Sequence, residues 1–336
     1  MTGTATTAHS YGAFQEAYLA LLRRIRDEPE FRNAPRGFRS REILGVSYRL
    51  ADPRERVVRV PGRRTNLVFN FAEALWYLSG SDSLEFMSFY APSITRYSAD
   101  GRTLRGTAYG PRIFNFGGAG FNQWDSVVST LRADPDSKRA VIQIFAPEEL
   151  LIADNPDVAC TIGLQFVVRE GRLHAVAFMR ANDAYRGTAS DVFSFTLLQE
   201  VLAHQLGLEL GTYTHVAGSY HLYESDSAFA DRVLADRVAA VHTDPFPAMP
   251  PGDNWPAIRE VARLEQRVRA GGVAMGRADV ERVGLPRYWE QVLALLCLHA
   301  RRVHEQTVDA DLLALLDPLY AGLVENCWRD RVPATF

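Results

Sequence analysis

Along the 336-residue chain the spacing of apolar positions changes several times, and each change marks an element. Phe14, Tyr18, Leu21 and Leu22 recur at helical spacing, which predicts an amphipathic helix over Tyr11 to Asp27 lying against a sheet, after a loose tail to about Thr7. A basic stretch opens with Arg36-Gly37, and a strand is expected from Ile43 to Leu50. From Asn66 the run NLVFNFAEALWYLSG is apolar nearly all round, so it predicts a buried helix ended by Gly80. A helix follows from Trp124, then a strand in AVIQIFAP. The densest stretch runs from Ala159 to Tyr223. It reads as a strand carrying Cys160, a turn at Glu170-Gly171, a second strand ending at Arg180, a helix from about Ser190, and a strand with His221 and Tyr223. Beyond about Thr243 the chain turns proline-rich and then helical, over roughly Pro256 to Ala270, Tyr288 to His304 and Asp309 to Asn326. The expected organisation is α/β (α+β). Residues 1–35 form a tail and helix, 36–250 a core with a large mixed sheet covered by helices, and 251–336 a helical region packed on that core as part of one domain.

Composition narrows the classes. With 47% hydrophobic and 23% charged residues the chain can bury a substantial core, and its formal charge of -3 supplies no basic field for a nucleic-acid polymer. No apolar run reaches the 18 residues or so that a membrane span needs, and the start lacks the pattern of an export signal, so a cytoplasmic protein is expected. Three cysteines, Cys160, Cys297 and Cys327, without CxxC or Cys/His spacing, indicate neither a disulfide framework nor a metal site. Gly117-Gly118-Ala119-Gly120 lacks the spacing of a dinucleotide-binding loop and reads as a flexible connection.

Several residues carry possible chemistry. Cys160 reads either as a small buried hydrophobe or as a nucleophile, and Arg180 nearby would favour its thiolate. Glu73 stands in an apolar helix, where burial would raise its pKa toward a value useful for proton transfer; at a solvent edge it would be unremarked. Arg36 beside Gly37 suits a bidentate phosphate contact or a solvated basic loop. His221 reads as a core histidine or, with Tyr223 on the same strand face, as part of a binding site.

Together these motifs resemble the thymidylate synthase family, over roughly Arg36 to Tyr223: Cys160, Gln165-Phe166, Arg180-x-x-Asp183, Gly187 with a polar residue four positions on, and His221-x-Tyr223. The resemblance implies a thymidylate synthase-like fold and a 5,10-methylenetetrahydrofolate cosubstrate. Cys160 becomes the nucleophile and Glu73, in Glu73-Ala74-Leu75-Trp76, the residue that orders water. Arg36 becomes a phosphate ligand, with Arg39 and Arg41 as rivals. Gln165, Arg180, Ala181 and Asp183 fall at substrate positions, His221 and Tyr223 at the sugar, and Tyr109 and Gly187 beside the cosubstrate. Lys138 and Arg139 stand where the family has two arginines that reach the phosphate of the neighbouring subunit, which implies a homodimer. The C-terminal region does not resemble the segment with which the synthases close over folate.

Departures from the family pattern bear on the substrate. The family's Pro-Cys-His is Ala159-Cys160-Thr161 here, the tryptophans ahead of Tyr109-Gly110 are missing, and Ala181 replaces a serine. Asp191 stands where the synthases read uracil with an asparagine. An ionised carboxylate only accepts hydrogen bonds, so it is repelled by O4 of uracil but receives the N4 amine and a protonated N3 of cytosine. The same residue also reads as an N-cap for the helix after Ser190. The expectation is a CMP 5-hydroxymethylase, with dCMP hydroxymethylation, thymidylate synthesis on dUMP and catalytically silent nucleotide binding as alternatives. With Lys138 and Ala181, Asp191 aligns the chain with the family's hydroxymethylases of nucleoside-antibiotic biosynthesis.

Overall fold

The computed structural model describes residues 8–236, 244–305 and 307–329. In chain order the elements are β1 (His9–Tyr11), α1 (Phe14–Asp27), β2 (Phe31–Asn33), β3 (Ser40–Leu50), α2 (Leu67–Leu78), α3 (Leu84–Tyr90), α4 (Tyr109–Phe114), α5 (Gln123–Ala133) and β4 (Val141–Gln143). There follow β5 (Thr161–Arg169), β6 (Arg172–Asp183), α6 (Gly187–Leu206), β7 (Glu209–Tyr223) and α7 (Ser227–Ala235). The C-terminal region adds α8 (Trp255–Arg269), α9 (Arg277–Arg282), α10 (Arg287–His304), α11 (Ala310–Leu313) and α12 (Pro318–Trp328). The expected tail to Thr7 lies outside the described residues.

Six strands form a mixed sheet in the order β1-β3-β7-β6-β5-β4, and β2 joins through β3. β5 and β6 are an antiparallel hairpin turned by Glu170 and Gly171, both at positive φ (52° and 73°), as a two-residue turn requires. β6 and β7 run parallel, joined across α6. α6 is buried on nearly every side because it lies between the sheet and α2. α2 begins where the Asn66 side chain accepts from the Phe69 amide at 3.1 Å and ends at Gly80, whose φ of 70° no helix continues. Most strands and helices fall close to the expected bounds, but α6 starts three residues earlier, at Gly187 rather than Ser190, and β6 runs past Arg180 to Asp183. The helix expected over Asp309 to Asn326 is two, α11 and α12, because Pro318 opens a new helix.

Three adjacent strands break step at one level. Pairing skips Gly45 of β3, Gly218 of β7 and Arg180 of β6, and on either side of this row the buried positions change parity. In β7 the buried residues run Tyr213, His215, Ala217 below the break and Tyr220, Leu222 above it. Gly45 takes a φ of 64°, which a side chain would oppose. The break lets the strands keep one buried face on both sides of the row, with Tyr220 and Leu222 above it as fully buried as Tyr213 and Ala217 below it.

Opposite the helices the sheet leaves apolar side chains uncovered: Phe178 (37% exposed), Ile162 (41%), Val141 (44%) and Leu44 (51%). On the helical side one core extends from Phe14 on α1 to Trp328 on α12. The C-terminal helices enter it over α2, where Phe71 meets Tyr288 and Tyr320 edge-on at 6.1 and 5.7 Å. An ion pair is buried there too. Arg56 pairs with Glu200 of α6, its guanidinium lies 5.4 Å from the Phe246 ring, and Glu200 also accepts from the Met249 amide at 3.1 Å. No described helix is long and apolar enough to cross a membrane.

Candidate active site

Cys160 sits immediately before β5 rather than within it, half-buried at the mouth between sheet and helices. Its backbone is held firmly. Glu149 accepts from the Ala159 amide at 2.7 Å, and Asp157 takes the amides of Arg105 and Gly106, each at 2.9 Å. Arg180, one strand over, donates through Nε to the Ala159 carbonyl at 2.8 Å and through Nη2 to Cys160 Sγ at 3.8 Å. The expected guanidinium is therefore in place. Burial nonetheless outweighs it: the Cys160 thiol is pushed up, with Arg180 and Arg36 opposing and the fields of Asp191 and Asp157 adding to the rise.

Thr161 takes over contacts at the position where a histidine was expected. Its hydroxyl donates to the Tyr109 hydroxyl at 3.0 Å, and the Tyr109 ring stacks on Tyr77 at 4.8 Å. Tyr109, expected beside the cosubstrate, is thus a buried floor residue whose hydroxyl lies in the fields of Asp191, Cys160 and Glu73.

Two carboxyls stand near each other on α2 and α6, Glu73 buried and Asp191 half-buried. Ser194 donates to Glu73 Oε2 at 3.0 Å, and burial followed by the Asp191 field raises Glu73 to about 8. Asp191 is raised to about 7 by burial, against one donor, Asn182 Nδ2 at 2.7 Å. Both carboxyls therefore hold their protons to higher pH than an ordinary carboxyl does. Asp191 lies in the second turn of α6, so it does not cap the helix as one sequence reading allowed; Arg186 stands at that cap position without a side-chain bond. Gly187 opens α6 against this pair, and a methyl group in its place would come within 3.2 Å of Asp191 Oδ2.

Above the skipped row, Ala181 and Asp183 of β6 lie level with Ser219 and His221 of β7. Asp183 Oδ1 accepts the amides of Tyr185 and Arg186 at 2.8 and 2.7 Å, shaping the turn into α6, and His221 meets Tyr223 edge-on at 5.0 Å. Burial raises Asp183 and lowers His221, and each opposes the other's shift. The Ser219 hydroxyl bonds Glu42 of β3. Among the three arginine rivals Arg41 is committed elsewhere, donating to the Arg26 carbonyl at 2.8 Å, whereas Arg36 is exposed and its charge acts on Cys160.

Gln165, Lys138 and Arg139 are not brought to Cys160 within the chain. Gln165 donates to the Lys138 carbonyl at 3.0 Å, and the Ala140 carbonyl accepts from Phe166, six residues beyond Cys160 and so about 20 Å along β5. Lys138 and Arg139 are exposed there. A cavity of about 490 Å³ lined by Asn66, Phe89, His299 and Trp328 lies at the N-terminal end of α2 and includes none of the residues above.

The thymidylate synthase family model matches residues 16–246. The chain belongs to the thymidylate synthase family. Its mixed sheet, with helices on one side and at the C-terminus, is the thymidylate synthase-like fold. Similar proteins include the deoxyuridylate hydroxymethyltransferase of Bacillus phage SP01, 32% identical over 203 residues that cover 57% of this chain and 53% of the phage protein. The deoxyuridylate hydroxymethyltransferase of Delftia phage PhiW-14 matches at 32% over 203 residues, 57% of this chain and 54% of its own. The chain spans about half the length of these curated relatives.

Sequence reading missed Asn182 and Ser194, which donate to the two carboxyls, and His215, which bonds Asn182. For His215 a signal existed: Tyr213, His215 and Ala217 alternate on the face that strand pairing buries.

Proposed function

We propose that this protein is a folate-dependent pyrimidine-nucleotide 5-hydroxymethylase acting on cytidine monophosphate, CMP ahead of dCMP, in the cytoplasm. The observation that carries the reading is a half-buried carboxyl, Asp191, at the family's base-reading position, with Cys160, Tyr109 and Glu73 around it. Cys160 adds to C6 of the ring as its proton is lost, and the charge that reaches the N3/N4 edge is met by Asp191. The cosubstrate supplies a one-carbon unit at the oxidation level of formaldehyde. C5 takes that unit, then loses its hydrogen as a proton toward the Tyr109 hydroxyl as the bond to the cosubstrate nitrogen breaks, releasing tetrahydrofolate and leaving an exocyclic methylene. Water held by Glu73 then adds to the exocyclic carbon, and the C6–S bond breaks to return Cys160. The balance is CMP, methylenetetrahydrofolate and water to 5-hydroxymethyl-CMP and tetrahydrofolate. At the rim, Arg96 packs 4.7 Å from the Tyr97 ring, and Arg186 is paired with Asp226 yet half-exposed, chemistry that fits a flat, anionic cosubstrate.

Arg36 and Arg180 hold the phosphate in this reading, and the partner subunit's Lys138 and Arg139 complete it across the uncovered sheet face. Lys138, Ala181 and Asp191 together resemble the CMP 5-hydroxymethylase of mildiomycin biosynthesis, and a place in antibiotic biosynthesis belongs to the proposal. A second reading, hydroxymethylation of a uridylate, is favoured by the names of the phage relatives and by Asp191 itself. When protonated, its carboxyl donates to O4 and accepts from N3–H.

The deciding assay offers CMP, dCMP, UMP and dUMP separately with tetrahydrofolate and formaldehyde, read by mass spectrometry. A gain of one CH2O unit on CMP, with less on dCMP and little on the uridylates, is the expected result. Hydroxymethylated dUMP as the main product establishes the second reading, and methylated dUMP with dihydrofolate rejects both.

A further inference from the structure

Behind Asp191 runs a chain of buried polar groups that the proposed reaction does not use. The Tyr213 hydroxyl lies 2.8 Å from His215 Nδ1, and His215 Nε2 lies 3.0 Å from Asn182 Oδ1. The Thr188 hydroxyl reaches the same oxygen at 2.8 Å, and Asn182 Nδ2 donates to Asp191 Oδ2 at 2.7 Å. Tyr48 stacks on the His215 ring at 5.1 Å, and every member is buried. Burial drops His215 to about 3, so it stays neutral and carries a single ring proton. With that proton on Nε2, the chain has one polarity. Tyr213 donates to Nδ1, Nε2–H donates to Asn182 Oδ1, and the amide nitrogen is left facing the carboxyl.

We propose that Asn182, anchored by His215, is the positioning residue that makes Asp191 a cytosine reader, by committing Oδ2 to accept and leaving Oδ1 to carry the shared proton. This rests on the cytidylate reading above. An oxygen that already accepts a short bond from an amide is the poorer site for a proton, so protonation falls on Oδ1. Cytosine presents an acceptor, N3, beside a donor, the N4 amine. Oδ1–H toward N3 and Oδ2 toward N4 match it. Uracil presents N3–H and O4 in the opposite sense and would need the proton on Oδ2. Among the described residues, the other titratable groups around Asp191 are Glu73 and Tyr77 on α2, Asp183 on β6, Cys160 before β5, Tyr109 on α4, and Tyr48 and Tyr213 on β3 and β7. Among the described residues only Asn182 donates to its carboxyl. Gly187 keeps this contact open, since a Cβ there would stand 3.2 Å from Asp191 Oδ2 and 3.4 Å from Asn182 Nδ2.

The test compares kcat/KM for CMP and UMP, and the pH profile with CMP, in Asn182→Ala, His215→Leu and His215→Gln. Both kcat/KM values come from one preparation, so an unfolded fraction cancels in their ratio. Asn182→Ala and His215→Leu are expected to lower the CMP-to-UMP ratio by about tenfold or more and to move the ionisation assigned to Asp191 upward. His215→Gln, which keeps a donor for Asn182, should stay within about threefold of wild type. Equal losses on both nucleotides with an unshifted profile would overturn the proposal. A wild-type protein that turns over neither CMP nor dCMP removes the cytidylate reading itself, a failure visible before any variant is made.

Discussion

Glu73 and Asp191 keep their protons to higher pH in the folded chain than they would in an unfolded one. For Glu73 the rise runs from the ordinary 4.5 to about 8, so between those values the folded state binds more protons and stability falls as pH rises. Asp191 adds the same sign between about 4 and about 7. From pH 7 to 8 Glu73 contributes the larger share of the slope while Asp191 completes its titration. Denaturant unfolding at stepped pH should therefore show a decline of several kcal/mol from pH 5 to 8, and Glu73→Gln should flatten its last unit while keeping the Ser194 bond. An unchanged slope in that variant would mean that Glu73 is ionised in the folded protein. Both carboxyls were legible as residues of interest from their apolar surroundings and family positions. Their partners were not, because Ser194 reaches Glu73 from 121 residues away and Asn182 reaches Asp191 across the turn from β6 into α6, and a pattern of apolar spacing says nothing about which polar atoms meet.

Elements were legible where periodicity was strong, as in α1, α2, the β5–β6 hairpin and α10. The row at Gly45, Arg180 and Gly218 was not, since each strand alone shows only a skipped alternation, and its meaning comes from three such skips standing side by side. The row sets which side chains are left uncovered: above it Ala181, Ser219 and His221, below it Phe178 and Val216, while Tyr220 and His215 are buried. Gly45→Val, at a φ of 64°, is expected to cost about 1–2 kcal/mol in urea unfolding. It should also weaken nucleotide binding, because a relaxed β3 moves Glu42 and with it Ser219. A fully stable variant with native affinity would show that the break originates in β6 and β7 alone.

For the whole molecule, the proposed dimer makes a quantitative demand. Cys160 and Arg139 would belong to one site but to two chains, so Cys160→Ala and Arg139→Ala homodimers should each be inactive. Mixed in equal amounts, unfolded and refolded together, they should regain about a quarter of wild-type activity, since half the dimers hold one intact site of two. No recovery, with dimers confirmed by sedimentation, would place Arg139 outside the site. The exposed Phe178 and Ile162 give such a pairing an apolar face to bury. A compositional shift near residue 250 suggested a boundary, yet the Arg56–Glu200 pair is roofed by Phe246 and Met249 and flanked by Tyr288 and Tyr320. Strip that roof and a guanidinium and a carboxylate are left in a half-open apolar hollow, which is worse than having neither. The two ends of the chain are therefore bound by inheritance as well as by packing. A lineage that discards the C-terminal helices must give up Arg56 and Glu200 together, and one that keeps the pair has no freedom to shed the helices.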